Sequence, residues 1–377
     1  MKHAFLLLLS ALISPAGRAQ NTINGSFVHN GITRSYSFYV PAIYNPANPV
    51  PLVLNLHGYN SFGWQQSLYG DFKAIADTAN FIVVHPEGTV VPGTANTQFW
   101  NVGFFSSSVD DVAFLEALID TIAKSYNINQ GRLYSTGMSN GGFMSYELAC
   151  RSNRFAAVAS VTGSMTTLNA ASCSPSKPTP IMQIHGTHDA SVPYAGNAGI
   201  LGIEDLVSYW VSFNNCPNTP TMTAVPDIDT TDGATAEHYV YAAGNGGATV
   251  EFFKVINGAH TWPGAPLAID ITCMDFSASK EIWRFFSQFQ HPNAPIGQPE
   301  TGADKIQLWP NPANEVLHFS SEREITHFRI VDMQGRIIAH GNANANQTIP
   351  AGHLAQGLYI LELSNTQGKV AKRFVKN

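Results

Sequence analysis

Two periods of apolar residues alternate along the middle of this chain, and they separate strands from helices. The runs Leu52 to Leu56, Phe81 to His85, Arg132 to Thr136, Ala156 to Val161, Ile181 to His185 and Val250 to Ile256 are short and apolar, which predicts buried strands. From Asp111 onward, Val112, Leu115, Leu118, Ile119 and Ile122 recur at helical spacing behind Asp110, a side chain suited to accept from free N–H groups at a helix start. Asp110 and Asp111 therefore read as helix-terminal carboxylates rather than as an acid–base pair. Alternation of this kind from Pro51 to about Gln290 predicts an α/β fold with a mostly parallel sheet covered on both faces. Ahead of it, the segment Ser26 to Val40 predicts two antiparallel strands joined at Asn30-Gly31, a pair that tolerates the positive φ of tight hairpins.

The pattern changes again at both ends. Residues 291–304 carry three prolines and two glycines and hold almost no large apolar side chain, which predicts a linker. Residues 305–377 hold only short alternating runs, such as Val316 to Phe319, His327 to Val331 and Leu358 to Leu363, which predict a small all-β sandwich. At the start, Lys2 and His3 precede an apolar run from Ala4 to Ile13, and small residues at Gly17 and Ala19 follow it. This is the pattern of a secretory signal over residues 1–19, with Gln20 as the mature N-terminus and 20–290 as the main domain. The run is too short to span a bilayer, and no later segment is long or apolar enough to do so.

Composition narrows the partners. Charged residues make up 12% and the net charge is −6, so a nucleic-acid binder, which needs a basic face, is excluded. Cys150, Cys173, Cys216 and Cys273 form an even set in an exported chain, which predicts two disulfides. Sequence neighbours favour Cys150 with Cys173 and Cys216 with Cys273, although all three pairings stay open. No C-x-x-C or His/Cys ligand spacing is present, so neither a metal nor another cofactor is expected.

Chemistry concentrates at Gly137-Met138-Ser139-Asn140-Gly141, set between a buried strand and a helical pattern. A serine mounted on so tight a turn needs glycines two residues to either side, because larger side chains would collide with the neighbouring strand and helix. A serine hydroxyl also needs a base, an acid to orient that base, and donors where an oxyanion forms. Asp189 stands in the loop after the strand ending at His185, and His260 stands in the glycine-flanked loop after the next strong strand. Both loops leave the strand ends where open sheets build their sites. Among the 13 histidines, His188 competes as base, but neighbours in sequence such as His188 and Asp189 rarely face each other. The backbone N–H groups of Asn140 and Tyr59 are the expected oxyanion donors, with His57 a buried residue pinning the second loop. Trp100 and Trp262 are candidates for stacking on an aromatic acyl group or a sugar, against the alternative of core packing. The Thr-, Asp- and Pro-rich region Pro217 to Glu237 is the expected seat of substrate specificity.

The residues from about Arg34 to Phe289 resemble the extracellular esterases grouped with poly(3-hydroxybutyrate) depolymerases and feruloyl esterases, carbohydrate esterase family 1 in the broad sense. The resemblance is carried by His57-Gly58, Trp100-Asn101, Val109-Asp110-Asp111-Val112, Gly137 to Gly142, His185-Gly186-Thr187-His188-Asp189 with Val192-Pro193-Tyr194, and Gly258 to Gly264. It implies an α/β-hydrolase fold with Ser139 as nucleophile, Asp189 as acid and His260 as base. Many relatives follow His-Gly with a cysteine and a nearby glutamine, where this chain has Tyr59-Asn60. A tyrosine there is similar to polyester hydrolases of the cutinase type. The tail, with Leu308-Trp309-Pro310-Asn311-Pro312-Ala313, Asp332-Met333-Gln334-Gly335-Arg336 and Gly357-Leu358-Tyr359, resembles the C-terminal sorting domain of type IX secretion cargo. That implies the secretion machinery as a partner and an extracellular or surface-attached protein.

The leading expectation is a secreted serine esterase acting on feruloyl or acetyl esters of plant polysaccharide through an acyl-enzyme. A depolymerase of polyhydroxybutyrate or of aromatic polyesters such as poly(ethylene terephthalate) is the same-class alternative. A surface glycan-binding protein without turnover is the alternative from another class.

Overall fold

In the computed structural model, the described residues are 21–291, 307–321, 324–332, 336–343, 347–365 and 368–377. The expected signal peptide and, apart from His291, the expected linker lie outside them.

Residues 21–291 build one ten-stranded sheet. In chain order its strands are β1 (Asn21–His29), β2 (Ile32–Val40), β3 (Val50–Leu56), β4 (Ile82–Pro86), β7 (Ile128–Gly137), β8 (Ala157–Val161), β9 (Ile181–Gly186), β10 (Thr221–Ala224), β11 (Thr235–Tyr241) and β12 (Val250–Ile256). The two-residue strands β5 (Thr89–Val90) and β6 (Gln98–Phe99) pair apart from it. Across the sheet the order is β1-β2-β4-β3-β7-β8-β9-β12-β11-β10. The central six, β4, β3, β7, β8, β9 and β12, run parallel. They are the six apolar runs of the sequence, buried on both faces as parallel strands must be. The hairpin β1–β2 turns at Asn30-Gly31, both at positive φ, and joins β4 antiparallel.

The helices are α1 (Gly63–Tyr69), α2 (Lys73–Ala79), α3 (Asp111–Ala123), α4 (Asn140–Arg151), α5 (Thr167–Ser172), α6 (Ile203–Phe213) and α7 (Ala278–Phe286). One core layer packs α3, α4 and α6 against the sheet through residues such as Leu115, Met144 and Trp210. The opposite layer takes Ala76 of α2 and Ile282, Phe285 and Phe286 of α7. Asp110 caps α3 by accepting from Ala113 N–H at 3.2 Å. Asp111 turns inward instead: its Oδ1 lies 2.7 Å from Arg34 Nη2 of β2, and its Oδ2 accepts from Asn101 N–H at 2.8 Å.

One of the two expected disulfides forms and the other does not. Cys150 and Cys173 form a disulfide that ties the end of α4 to the end of α5. Cys216 and Cys273 are both free and buried, because they sit in the core layers on opposite faces of the sheet and cannot meet. The region Pro217 to Glu237 holds the edge strand β10, the start of β11 and the loop between them. That loop is pinned by Asp275, which accepts from Ile228 and Asp229 N–H, and by Asp232, which accepts from Ala234 and Met274 N–H.

In the tail, a three-stranded sheet of β13 (Gln307–Trp309), β14 (Val316–Ser320) and β17 (Thr348–Pro350) accompanies a four-stranded one. The latter runs β16 (Ile337–Asn342), β15 (His327–Asp332), β18 (Gly357–Asn365) and β19 (Gly368–Lys376). Leu317, Phe319 and Ile349 from the first share one core with Ile330, Leu361 and Phe374 from the second, which is a small β-sandwich. Among the described residues no helix is long and apolar enough to cross a membrane.

Candidate active site

Ser139 sits where β7 turns into α4, with φ 55° and ψ −121°. A non-glycine residue held there stores strain of about 1–3 kcal/mol, which the surroundings must impose. They do so through close packing. A Cβ on Gly137 would lie 2.6 Å from Leu56 O, and one on Gly141 would lie 2.2 Å from the same oxygen. The turn is then held by Ser139 N–H donating to Val161 O at 2.9 Å and Gly141 N–H donating to Met138 O at 2.8 Å.

The loops of Asp189 and His260 meet at another pair of glycines. A Cβ on Gly186 would lie 2.1 Å from Gly258 O, so only glycine lets the loops after β9 and β12 touch. His188 N–H donates to Gly258 O at 3.0 Å and seals the contact. Above it, His260 Nδ1 lies 2.7 Å from Asp189 Oδ2. Asp189 Oδ1 accepts from Ser191 and Val192 N–H at 2.9 and 2.8 Å, and Oδ2 also faces His185 Nε2 at 3.3 Å. Burial pushes the Asp189 carboxyl up, but hydrogen bonds from His185 and His260 outweigh it and hold the group well below the usual carboxylate range. Asp189 is thus a buried, ionised acceptor, with His260 at the mouth of a cavity. His188 is exposed and bonded to Thr187.

Trp100 organises the segments that carry the Tyr59 and Asn140 amides. Its backbone N–H donates to Asn140 Oδ1 at 2.6 Å, its carbonyl accepts from Asn140 Nδ2 at 3.1 Å, and its indole N–H donates to His57 O at 2.9 Å. His57 is fully buried. Its Nδ1–H donates to Gly58 O at 2.7 Å, while Nε2 accepts from Gly88 N–H at 2.9 Å. Burial lowers its pKa to about 4 and keeps it neutral. Gly58 lies against the serine, a Cβ there falling 3.5 Å from Ser139 Cβ. The two segments carrying the Tyr59 and Asn140 amides are therefore locked beside Ser139.

Ser139 and His260 open on one cavity of about 560 Å³, whose walls include Tyr59, Trp64, Leu68, Tyr69, Leu267 and Ile269. Neither tryptophan expected to stack on substrate lines it. Trp100 is 0% and Trp262 1% exposed, so both belong to the core. Trp262 anchors the His260 loop there: its indole N–H donates to Ser279 Oγ at 3.2 Å and its ring meets Phe72 edge-on at 6.3 Å. None of residues 217–237 lines the cavity either, which removes that region from the walls around the serine. The tryptophan that does is Trp64, 58% exposed on α1. Its signal is an inverted helix: Trp64 and Leu68 point outward while Gln66 is buried and donates to Asn55 Oδ1 at 2.9 Å. A short helix with its apolar face outward marks a wall of a cleft.

A mostly parallel sheet with a serine on a strained strand-to-helix turn, and a histidine–aspartate pair on later loops at the same edge, is the arrangement of an α/β-hydrolase. The solved acetyl xylan esterase from Aspergillus awamori shares the fold, with a TM-score of 0.53 at 12% identity over 70% of this chain and 99% of that one. The chain's homologues are feruloyl and acetylxylan esterases. The bifunctional acetylxylan esterase/xylanase XynS20E of Neocallimastix patriciarum is 28% identical over 270 residues, covering 71% of this chain and 35% of that protein. The chain thus spans about a third of that relative's length. The probable feruloyl esterase C of Aspergillus niger is 28% identical over 295 residues, covering 74% of this chain and 96% of that protein. Residues 307–377 match the family described as a secretion system C-terminal sorting domain. These relatives are ester hydrolases of the carbohydrate esterase family 1 type, which the chain resembles, and the tail marks it as a secreted, extracellular or cell-surface protein.

Proposed function

We propose that residues 20–290 hydrolyse feruloyl or acetyl esters of plant polysaccharide through an acyl-enzyme on Ser139, and that residues 305–377 address the chain to its secretion machinery. The observation that carries this reading is the 2.7 Å contact of His260 Nδ1 with buried Asp189, at the cavity that Ser139 also lines. In this reading His260 Nε2 takes the proton from Ser139 Oγ as the oxygen attacks the ester carbonyl. The negative charge on the carbonyl oxygen is met by the Tyr59 and Asn140 N–H groups. Collapse expels the alcohol, which takes its proton from His260, and leaves the acyl group on Ser139. Water, deprotonated by His260, attacks in turn and releases the acid. Asp189 keeps Nδ1 protonated and the ring oriented throughout.

The test is the initial rate on methyl ferulate and on acetylated xylan, with Ser139→Ala as control. Release that vanishes in the variant supports the reading, and no release from the parent protein on either ester removes it. A polyester substrate is the second reading, favoured by the apolar rim of the site. Tyr59, Trp64, Leu68, Leu267 and Ile269 are all at least 47% exposed, and Tyr59 stacks on Phe105 at 5.7 Å. Exposed apolar side chains clustered around a catalytic opening suit an insoluble chain. Acid release from a polyhydroxybutyrate or poly(ethylene terephthalate) film, without turnover of the polysaccharide esters, selects this reading.

A further inference from the structure

Asp189 receives a second histidine that the hydrolytic scheme does not use. His185, at the end of β9, is fully buried, and its Nε2 lies 2.9 Å from Val192 O and 3.3 Å from Asp189 Oδ2, the oxygen that also holds His260. A carbonyl can only accept, so Nε2 carries a proton. The other ring nitrogen is equally determined. Gln183 Nε2 donates to Gly163 O at 2.8 Å, so its amide nitrogen faces inward and its second hydrogen points to His185 Nδ1 at 3.0 Å. Gln183 Oε1 in turn accepts from Tyr146 O–H at 2.7 Å. Burial pushes the Tyr146 hydroxyl up, so it stays a donor. Donation therefore runs one way, from Tyr146 through Gln183 and His185 to Asp189, along four side chains that are at most 4% exposed.

We propose that His185 is a positioning residue, a fixed donor that orients Asp189 and tempers the pull of its carboxylate on His260. The inference rests on the reading of Ser139, His260 and Asp189 as the catalytic set. Nδ1 accepts from the Gln183 N–H and Nε2 donates toward Val192 O and Asp189, so the ring is held at both nitrogens. Among the described residues, His185 and His260 are the titratable groups that face Asp189. A carboxylate whose charge is shared among four donors attracts the protonated imidazole less than one with three. Without His185, the Asp189 carboxylate pulls harder on the imidazolium that forms at His260, and its side chain gains freedom to rotate.

The experiment is the kcat/KM–pH profile on p-nitrophenyl acetate for the mature chain, His185→Phe and His185→Gln. We expect His185→Phe to lower kcat/KM about tenfold at neutral pH and to move the acid limb up by about half to one pH unit, the effect of losing one hydrogen bond to a charged group. His185→Gln, which keeps an N–H at the end of its side chain, recovers part of both. An unmoved limb in His185→Phe, or the same limb in both variants, overturns the proposal, because a role in packing alone would not shift it. If His185→Phe does not fold, Gln183→Met removes the donor to Nδ1 and frees the ring, with a smaller shift of the same sign expected and no shift overturning it. If the parent chain shows no turnover, the catalytic reading fails. The low-field proton resonance between His260 and Asp189 still tests the contact: a change of that signal in His185→Phe supports the inference, and an unchanged one ends it.

Discussion

Trp100 and Asn140 exchange two hydrogen bonds, the backbone of the first against the side-chain amide of the second, at 2.6 and 3.1 Å. The same tryptophan reaches across to His57 O. One buried residue thus fixes both backbone segments that flank Ser139. Behind it, Asp111 accepts from Asn101 N–H and pairs with Arg34, so the brace extends to the hairpin side of the sheet. Trp100→Phe keeps most of the packing and deletes the indole donor. We expect kcat to fall about tenfold with KM changed less than about threefold, since a displaced donor of the proposed oxyanion site would act mainly in the transition state. Steady-state kinetics on one soluble ester checks this, and a loss confined to KM would count against the brace.

The Arg34–Asp111 pair is a structural test of the same brace. Both side chains are at most 2% exposed, and burial raises the Asp111 pKa against the pull of Arg34. Asp111→Asn leaves a buried guanidinium without its counter-charge, which costs about 3–5 kcal/mol. Urea unfolding of the variant beside the parent protein measures it, and a difference below about 1 kcal/mol would show that the charge is relieved elsewhere.

Much of this architecture was legible because the physics is local. Parallel strands buried on both faces must be apolar throughout, so all six central strands stand out in the sequence. The glycines around Ser139 are required by contacts of 2.2 to 2.6 Å with the neighbouring strand, and such requirements leave a motif. What stayed hidden depends on tertiary placement. Trp100 and Trp262, the second only two residues from His260, both face the core, because each carries an indole N–H that finds a buried acceptor. Cys216 and Cys273 are separated by the sheet itself. Trp64 was missed because a seven-residue helix with its apolar side outward defies the usual sense of amphipathicity.

Trp64 supplies the next prediction. It stands on the wall of the cavity that Ser139 and His260 share, and more than half of its surface is free. Trp64→Ala is expected to raise KM for methyl ferulate about five- to twentyfold while leaving methyl acetate within about twofold, as loss of one aromatic contact predicts. Equal losses on both esters would mean that Trp64 supports the fold of α1 rather than an acyl group.

Stability should depend on pH through two buried histidines. Burial lowers His57 to about 4 and His85, beside Lys73, to about 3. In the unfolded chain each takes up a proton near pH 6.5, so between that value and the folded one the unfolded state binds more protons. Stability is therefore full above about pH 6.5 and falls as the pH drops toward 4, at about 1.4 kcal/mol per pH unit for each histidine. His85 separates this from acid effects on the carboxylates, since its Nε2 has no hydrogen-bond partner and it is not part of the site. His85→Leu should lower the slope between pH 6 and 4.5 by about one proton while leaving ester turnover at pH 8 intact. Denaturant midpoints at half-unit pH intervals give the slope directly, and an unchanged slope in the variant would mean that His85 is protonated in the folded protein.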